Sequence, residues 1–300
     1  MTVIIVNLSL VIGAGWAFRR FGVVGEGAEK AFNQYLYYLA LPCLIIVKIA
    51  STPLSGLGWD FLLANLLPLL ACMGGVWAAW RLLGLDWRFA RLLLIVSVMG
   101  NTVYLGFPVV SLRLGDHLIG HAAIISSLHN VVVFTLGFAL MTTICGEGGC
   151  PPSRLLRTAA RNIVLWSSLA GLGLAASGWR LPSLAETVMT DIGRTTMPLS
   201  LFTIGISLCG KKVAGNFPRL AAISGVKLLL LPAVYLAAAR LLGFSGEVSS
   251  AVFLQMAMPA AVLNYVVARE FDFDADLTAQ AIVLTTLLFF PFLYLYELAL

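Results

Sequence analysis

The chain has 300 residues, of which 60% are hydrophobic and 11% are charged, and its formal net charge is +5. Soluble domains are usually about 25% charged and 45–50% apolar, so this composition excludes a soluble enzyme, a disordered chain and a nucleic-acid binder. What remains is a bundle of membrane-spanning helices, each of which needs about 20 apolar residues.

Long apolar runs, separated by charged or Gly/Pro/Ser-rich clusters, predict helices rather than barrel strands, because the runs are long and do not alternate. In chain order the ten predicted spans are 2–18, 31–51, 59–80, 89–113, 118–144, 162–178, 185–209, 220–240, 248–270 and 276–298. Ten spans with short connections use almost the whole chain. The sequence therefore predicts an all-α membrane protein with ten transmembrane helices and no separate soluble domain.

Lysine and arginine residues are concentrated in the loops that follow odd-numbered spans. Thirteen of the nineteen lie there, four lie in loops after even-numbered spans, and Lys48 and Lys227 fall within spans. Because Lys and Arg accumulate in cytoplasmic loops, we expect the odd-numbered loops in the cytosol and both termini outside. The protein is then a multi-pass protein of the inner or plasma membrane.

The two halves of the chain carry similar signals in the same order. Pro42 in span 2 matches Pro198 in span 7, and Pro68 in span 3 matches Pro232 in span 8. Since five is an odd number, the second half enters the membrane in the opposite sense, which predicts a 5+5 inverted-topology repeat of the kind found in secondary transporters. The first repeat, a cytoplasmic linker and the second repeat are residues 1–144, 145–160 and 161–300.

Spans 4 and 9 carry the strongest helix-breaking signals, and at 1.5 Å per residue both signals lie near the middle of the membrane. The candidate binding residues in these two spans are Gly100, Asn101, Thr102, Pro108, Pro259 and Asn264. Freed backbone is tolerated in a membrane only beside a cavity or a packed partner, and a matched pair of interrupted helices points to a transporter's binding site. The alternative is that the glycines and prolines only kink the helices or allow close packing.

Three further polar side chains lie inside other predicted spans. His129 and Asn130 in span 5 either line a cavity, where the imidazole could carry protons, or form hydrogen bonds between helices. Lys227 in span 8 either attracts an anion or titrates, or it extends to the cytoplasmic surface. No carboxylate lies at mid-membrane depth, and the sequence has no metal-ligand spacing, HExxH, GxSxG or Walker motif. We therefore predict no metal, no cofactor and no enzymatic activity.

Four ordered motifs resemble the auxin efflux carrier family. Gly100-Asn101-Thr102 followed by Leu105-Gly106-Phe107-Pro108 resembles its "GNT…LG.P" segment, and residues 192–208 are similar to its seventh span. Residues 227–232 resemble its "KLL..P" stretch, and residues 258–269 resemble its ninth span. The resemblance covers nearly the whole chain, and the family includes bacterial permeases for malate or malonate as well as plant auxin exporters.

This resemblance implies a carrier whose broken fourth and ninth helices cross. It also implies a scaffold built from spans 1, 2, 6 and 7 and a transport domain built from spans 3–5 and 8–10. Plant members carry a second proline in span 9 near the place of Asn264, and many have a long cytosolic loop where this chain has a short linker. The first of these differences argues against auxin itself as the substrate.

We therefore predict a secondary transporter that moves a small organic anion, a carboxylate, by alternating access. The freed N–H groups and the positive end of a half-helix suit a carboxylate. The alternatives are a sodium-coupled sterol or bile-acid-type symporter of similar architecture, an ion channel and a membrane-embedded sensor. The expected partners are the anion and the lipid bilayer, without nucleic acid. A proton or a sodium ion as coupling ion, and a homodimer as the assembly, stay open.

Overall fold

The computed structural model describes residues 2–54, 57–144, 160–210, 216–270 and 274–296. These residues are organised as helices, and no strand forms among them. The α-helices are α1 Thr2–Arg20, α2 Ala28–Tyr35, α3 Leu41–Ala50, α4 Trp59–Leu83, α5 Trp87–Val98, α6 Gly106–Leu114, α7 Ile119–Val132, α8 Phe138–Thr143, α9 Ile163–Ser177, α10 Ser183–Arg194, α11 Thr196–Leu208, α12 Phe217–Gly225, α13 Leu231–Leu242, α14 Glu247–Ala257, α15 Leu263–Glu270 and α16 Ala275–Tyr296. Short π-turns continue α2 into α3, α7 into α8 and α12 into α13.

Within the described ranges, six helical stretches are long and apolar enough to cross a membrane. They are Thr2–Arg20, Ala28–Ala50, Trp59–Leu83, Asp116–Met141, Phe217–Leu242 and Ala275–Tyr296. The helices coincide with all ten predicted spans, but predicted spans 4, 7 and 9 each consist of two shorter helices, α5 and α6, α10 and α11, and α14 and α15. The all-helical prediction is confirmed, whereas the count of ten passes stays a prediction. The predicted linker, apart from residue 160, lies outside the described residues.

The helices pack in two groups. In the first group α1 lies along α11, and α3 contacts α9 and α10; in the second group α4 contacts α5 and α13, and α14 contacts α6 and α7. The two groups meet where α3 and α9 pack against α7 and where α11 meets α6. The α1–α11 contact is close, because a Cβ atom on Gly15 or Gly205 would overlap the backbone of the opposite helix. Small residues allow such close approach of helices in membranes.

Two of the π-turns directly precede a Leu-Pro pair, and they show how the chain accommodates proline within a long helix. Proline has no N–H, and its ring clashes with the carbonyl group four residues earlier. Before Pro232, the Leu231 N–H bonds to the carbonyl of Val226, five residues back. The Leu228 carbonyl, four residues before Pro232, accepts a hydrogen bond from the buried Tyr296 hydroxyl on α16 instead. The donor that the proline removed is thus replaced by another helix.

We expect Tyr296→Phe to destabilise the protein by about 1–3 kcal/mol, because it leaves the buried Leu228 carbonyl without a donor. Tyr294, which is 58% exposed on the same helix, provides the matched control, and Tyr294→Phe should have no measurable effect. The measurement is the unfolding midpoint of each purified variant in the same detergent. Equal midpoints for the two variants would contradict the role assigned to Tyr296.

Candidate functional site

The interruption between α5 and α6 faces the interruption between α14 and α15, and the two backbones bond to each other. The Asn101 N–H donates to the Pro259 carbonyl at 2.7 Å, and the Ala261 N–H donates to the Met99 carbonyl at 3.0 Å. These bonds make a short antiparallel bridge between Gly100 and Ala260. Each helix break therefore supplies hydrogen-bond partners that the other break has lost.

Two side chains hold the second break in place. The Asn264 amide nitrogen donates to the Met99 carbonyl at 3.0 Å. The Thr285 hydroxyl on α16 accepts from the Ala260 N–H at 3.1 Å and donates to the carbonyl of Ala281 at 2.7 Å. Asn264 was among the predicted site residues. Thr285 was not, and its only signal in the sequence is a Thr-Thr pair in the middle of an apolar span.

The first break leaves hydrogen-bond donors free. The Asn101 carbonyl accepts from the Gly106 N–H at 3.0 Å and so begins the turn that leads into α6. The N–H groups of Thr102, Val103 and Tyr104 have no acceptor among the described residues. Such unpaired donors are typical of a helix N-terminus, which also carries a partial positive charge.

These donors lie beside a cavity of about 820 Å³. The cavity extends from the two breaks to the N-terminal ends of α2 and α9. Its polar lining residues are Glu29, Lys30, Asn33, Gln34, Tyr37, Tyr38, Asn101, Thr102, Tyr104, Asn130, Arg161 and Asn162. From the second break, Val262 and Leu263 also face the cavity. Its volume is within the range of about 300–1,000 Å³ found for small-molecule sites.

The charges along the cavity favour an anion. Lys30 and Arg161 are cationic lining residues, and Glu29 is the acidic one. These three residues lie in the first turn of α2 and just before α9. At the breaks the polar groups are amides, hydroxyls and backbone N–H groups. A ligand carboxylate at the breaks would therefore meet donors and the positive end of a helix, without a carboxylate beside it.

Lys227 lies behind the paired breaks rather than in the cavity lining. Its side chain is 1% exposed, and its amine donates to the Met256 carbonyl at 3.3 Å. The amine is also adjacent to Gly100, because a Cβ atom at that glycine would lie 2.9 Å from it. The alternative that this lysine extends to the membrane surface therefore does not hold in this structure.

The remaining predicted site residues separate into two classes. Asn130 lies on the cavity wall. His129 is buried and absent from the lining, and its Nε2 atom is 3.2 Å from the Asn65 amide oxygen on α4, which matches the interhelical hydrogen-bond alternative. Pro108 is buried in the first turn of α6, also away from the lining.

Several lining residues were not predicted. Tyr37 lines the cavity and its hydroxyl accepts from the Ile163 N–H at 3.2 Å, which ties the π-turn after α2 to the beginning of α9. Tyr104 lines it from the first break, and Asn33 and Gln34 line it from α2. Aromatic and amide residues at the ends of apolar spans are common, so the sequence carried no signal that these residues share one cavity.

We expect Gly100→Ala to lower the unfolding temperature of the purified protein, because the added methyl group would lie 2.9 Å from the Lys227 amine and must displace it. Gly74 provides the control. It lies within α4, and a Cβ atom added there would meet no atom within 4 Å, so Gly74→Ala should leave stability unchanged or raise it by about 0.5–1 kcal/mol through helix propensity. The same shift in both variants would show that Gly100 has no special steric requirement.

Comparison with known proteins agrees with a helical membrane transporter. The family model described as "Membrane transport protein" matches residues 1–148 and 153–297. An uncharacterized transporter of Methanothermobacter thermautotrophicus is 27% identical over 289 residues, which cover 95% of this chain and 93% of that protein. A Rhizobium meliloti protein named "Putative malonate transporter" is 25% identical over 270 residues, which cover 85% of this chain and 82% of that protein.

Plant proteins match a smaller part of the chain. Auxin efflux carrier component 2 of Arabidopsis thaliana is 26% identical over 152 residues, which cover 47% of this chain and 23% of the plant protein. The family model, by contrast, matches nearly the whole chain, and with it the resemblance found in the motifs is confirmed. The chain belongs to the membrane transport protein family, that of the auxin efflux carriers, and is a membrane transporter rather than an enzyme.

Proposed function

We propose that this transporter is a secondary carrier for a small carboxylate anion. The observation that carries the proposal is the row of unpaired N–H groups at Thr102, Val103 and Tyr104, which lies beside a cavity whose charged lining residues are two cations and one carboxylate. Backbone donors at a helix N-terminus are suited to a carboxylate because they donate two or more hydrogen bonds and add a favourable dipole.

The proposed roles of the site residues follow from their positions. Asn101, Thr102 and Asn130 donate hydrogen bonds to the anion from the cavity wall. Gly100 and Pro259 keep the two breaks open, the former by leaving room and the latter because its missing N–H prevents a continuous helix. Pro108 and His129 act indirectly in this proposal, by fixing the positions of α6 and α7.

Malonate is the first substrate to test. The rhizobial relative carries malonate in its name, and a three-carbon dicarboxylate fits a cavity of about 820 Å³ with room for water. One carboxylate would bind the free N–H groups at the break, and the other would face the end of the cavity lined by Lys30 and Arg161.

The proposed membrane topology is the 5+5 inverted repeat with both termini outside. The cavity then lies on the cytoplasmic side, because it is lined by the ends of α2 and α9 that follow cationic loops. On the opposite side α3 packs tightly on α7, since Gly120 faces the Lys48 carbonyl without room for a Cβ atom. The Lys48 amine also donates to the Asp116 carbonyl at 3.5 Å. The described conformation is then inward-facing, and transport requires the α3–α7 contact to open while the second helix group moves against the first.

The carboxylate proposal is tested by malonate uptake into proteoliposomes. We expect Asn101→Ala to raise the half-saturation concentration by about tenfold or more, because a hydrogen bond lost from a buried ligand costs about 1–3 kcal/mol. Asn7, an exposed residue of α1, provides the control, and Asn7→Ala should transport normally. Succinate, malate, acetate and indole acetate in the same assay establish the substrate class.

Two results would contradict the proposal. One is the absence of competition by every carboxylate of the panel in a protein that transports another solute. The other is normal carboxylate uptake in Asn101→Ala at matched reconstitution.

The topology is tested by labelling single cysteines in a cysteine-free background with a membrane-impermeant thiol reagent applied outside. Ser183→Cys and Ser245→Cys replace exposed residues between an even-numbered predicted span and the next one, so both should react. Val23→Cys, which replaces a residue that is 67% exposed after α1, should react only after the membrane is permeabilised. The reverse pattern would overturn the proposed orientation.

A further inference from the structure

We propose that the Lys227 ammonium is a tethered cation, which occupies the place of a mobile coupling cation behind the paired breaks and makes the carrier independent of sodium and potassium. This inference deepens the proposed function, since it names the ion that the site does not need. The inference rests on the proposed function only in the measurement of malonate flux, because the unfolding measurements use no substrate.

The position of the amine supports this role. Lys227 belongs to the π-turn Val226–Leu230, which contacts α5, α14 and α16. Its amine donates to the carbonyl of Met256, in the last turn of α14, and lies next to Gly100, two residues after α5 ends. The ammonium therefore lies where the C-terminal ends of both half-helices meet.

The electrostatics of this place favour a cation. A helix C-terminus carries a partial charge of about −0.5 and leaves carbonyl groups without donors. In carriers with interrupted helices, such C-terminal ends and unwound carbonyl groups coordinate the coupling sodium ion or proton. Here an ammonium group that belongs to the chain itself, that of Lys227, lies beside the C-terminal ends of α5 and α14.

No carboxylate accounts for the burial of this lysine. The salt bridges among the described residues do not include Lys227, and the titratable neighbours that interact with its charge, Cys72 and His129, are not carboxylates. A buried charge without a counterion is costly in a membrane. The two helix ends are the negative groups that the structure places beside it, so the lysine and the breaks stabilise each other.

A resident cation also explains why the two sides of the paired breaks present different polar groups. On the cavity side, the N-terminal end of the turn before α6 leaves N–H groups free for an anion. On the opposite side, the Lys227 amine donates to the carbonyl end of α14 and lies beside Gly100, just after the end of α5. A carrier built in this way binds its anion without first binding a metal cation.

The test compares thermal unfolding of purified wild type, Lys227→Met, Lys227→Ala and Lys48→Ala in detergent, without substrate, in choline chloride, sodium chloride or propylammonium chloride at equal ionic strength. We expect wild type and Lys48→Ala to unfold at the same temperature in all three salts. Lys227→Met keeps the volume but removes the charge, so it should unfold several degrees lower. Lys227→Ala should also unfold lower in choline, and propylammonium, which matches the removed part of the side chain, should restore most of the loss.

Unfolding of Lys227→Met at the wild-type temperature would overturn the proposal, as would the same unfolding temperature of Lys227→Ala in choline and in propylammonium. If neither Lys227→Met nor Lys227→Ala folds, the malonate flux of the wild-type protein decides between the outcomes. Its malonate flux should be the same in sodium and choline media, and a tenfold stimulation by sodium would overturn the tethered-cation role. Failure of malonate transport would contradict the proposed substrate but leave the unfolding comparison intact, so the two failures are distinguishable.

Discussion

The hydrogen-bond requirement of backbone inside a membrane governs this structure. Without water in the hydrocarbon core, every interrupted N–H or carbonyl group must find a partner within the protein or face a cavity. The chain meets this requirement in three ways. Asn101 and Pro259 pair one break with the other, Thr285 supplies a side-chain acceptor to the second break, and Tyr296 supplies a donor to a carbonyl freed by proline.

The backbone N–H groups that remain unpaired at the first break are then informative, because they are consecutive in the chain. Three consecutive N–H groups, those of Thr102, Val103 and Tyr104, lie beside the same cavity. The carbonyl end of α14 is bonded to Lys227 instead. The paired breaks therefore present donors on one side and, on the other, a helix end whose carbonyl is bonded to a lysine, and this arrangement suits the anion proposed as the substrate.

The two helix groups are joined by contacts of unequal tightness. Within the first group α1 and α11 approach closely at Gly15 and Gly205, so these helices should stay together. Between the groups, α3 meets α7 at Gly120 on the side opposite the cavity. An alternating-access motion needs the former contact to persist and the latter to open, and both depend on glycine because neither leaves room for a side chain.

The sequence by itself determined the class of the protein, the positions of its helices and the two breaks. Hydropathy and helix-breaking residues are local properties, so apolar runs and the clusters around Gly100 and Pro259 were sufficient for them. The pattern also placed Asn101, Thr102 and Asn130 in the candidate site, and all three line the cavity.

Only the tertiary structure decided which polar groups are hydrogen-bonded to a neighbouring helix and which are free to face the cavity. In the sequence, His129 and Lys227 could not be distinguished from residues that line the cavity. In the structure, the His129 ring bonds to the Asn65 amide oxygen and the Lys227 amine bonds to the Met256 carbonyl. Tyr37 and Arg161 carried no signal, because they reach the cavity from helices that are distant in the chain. The physical reason is that hydrogen bonds inside the membrane are satisfied between helices, so the identity of each partner depends on which helices are neighbours and not on the local sequence.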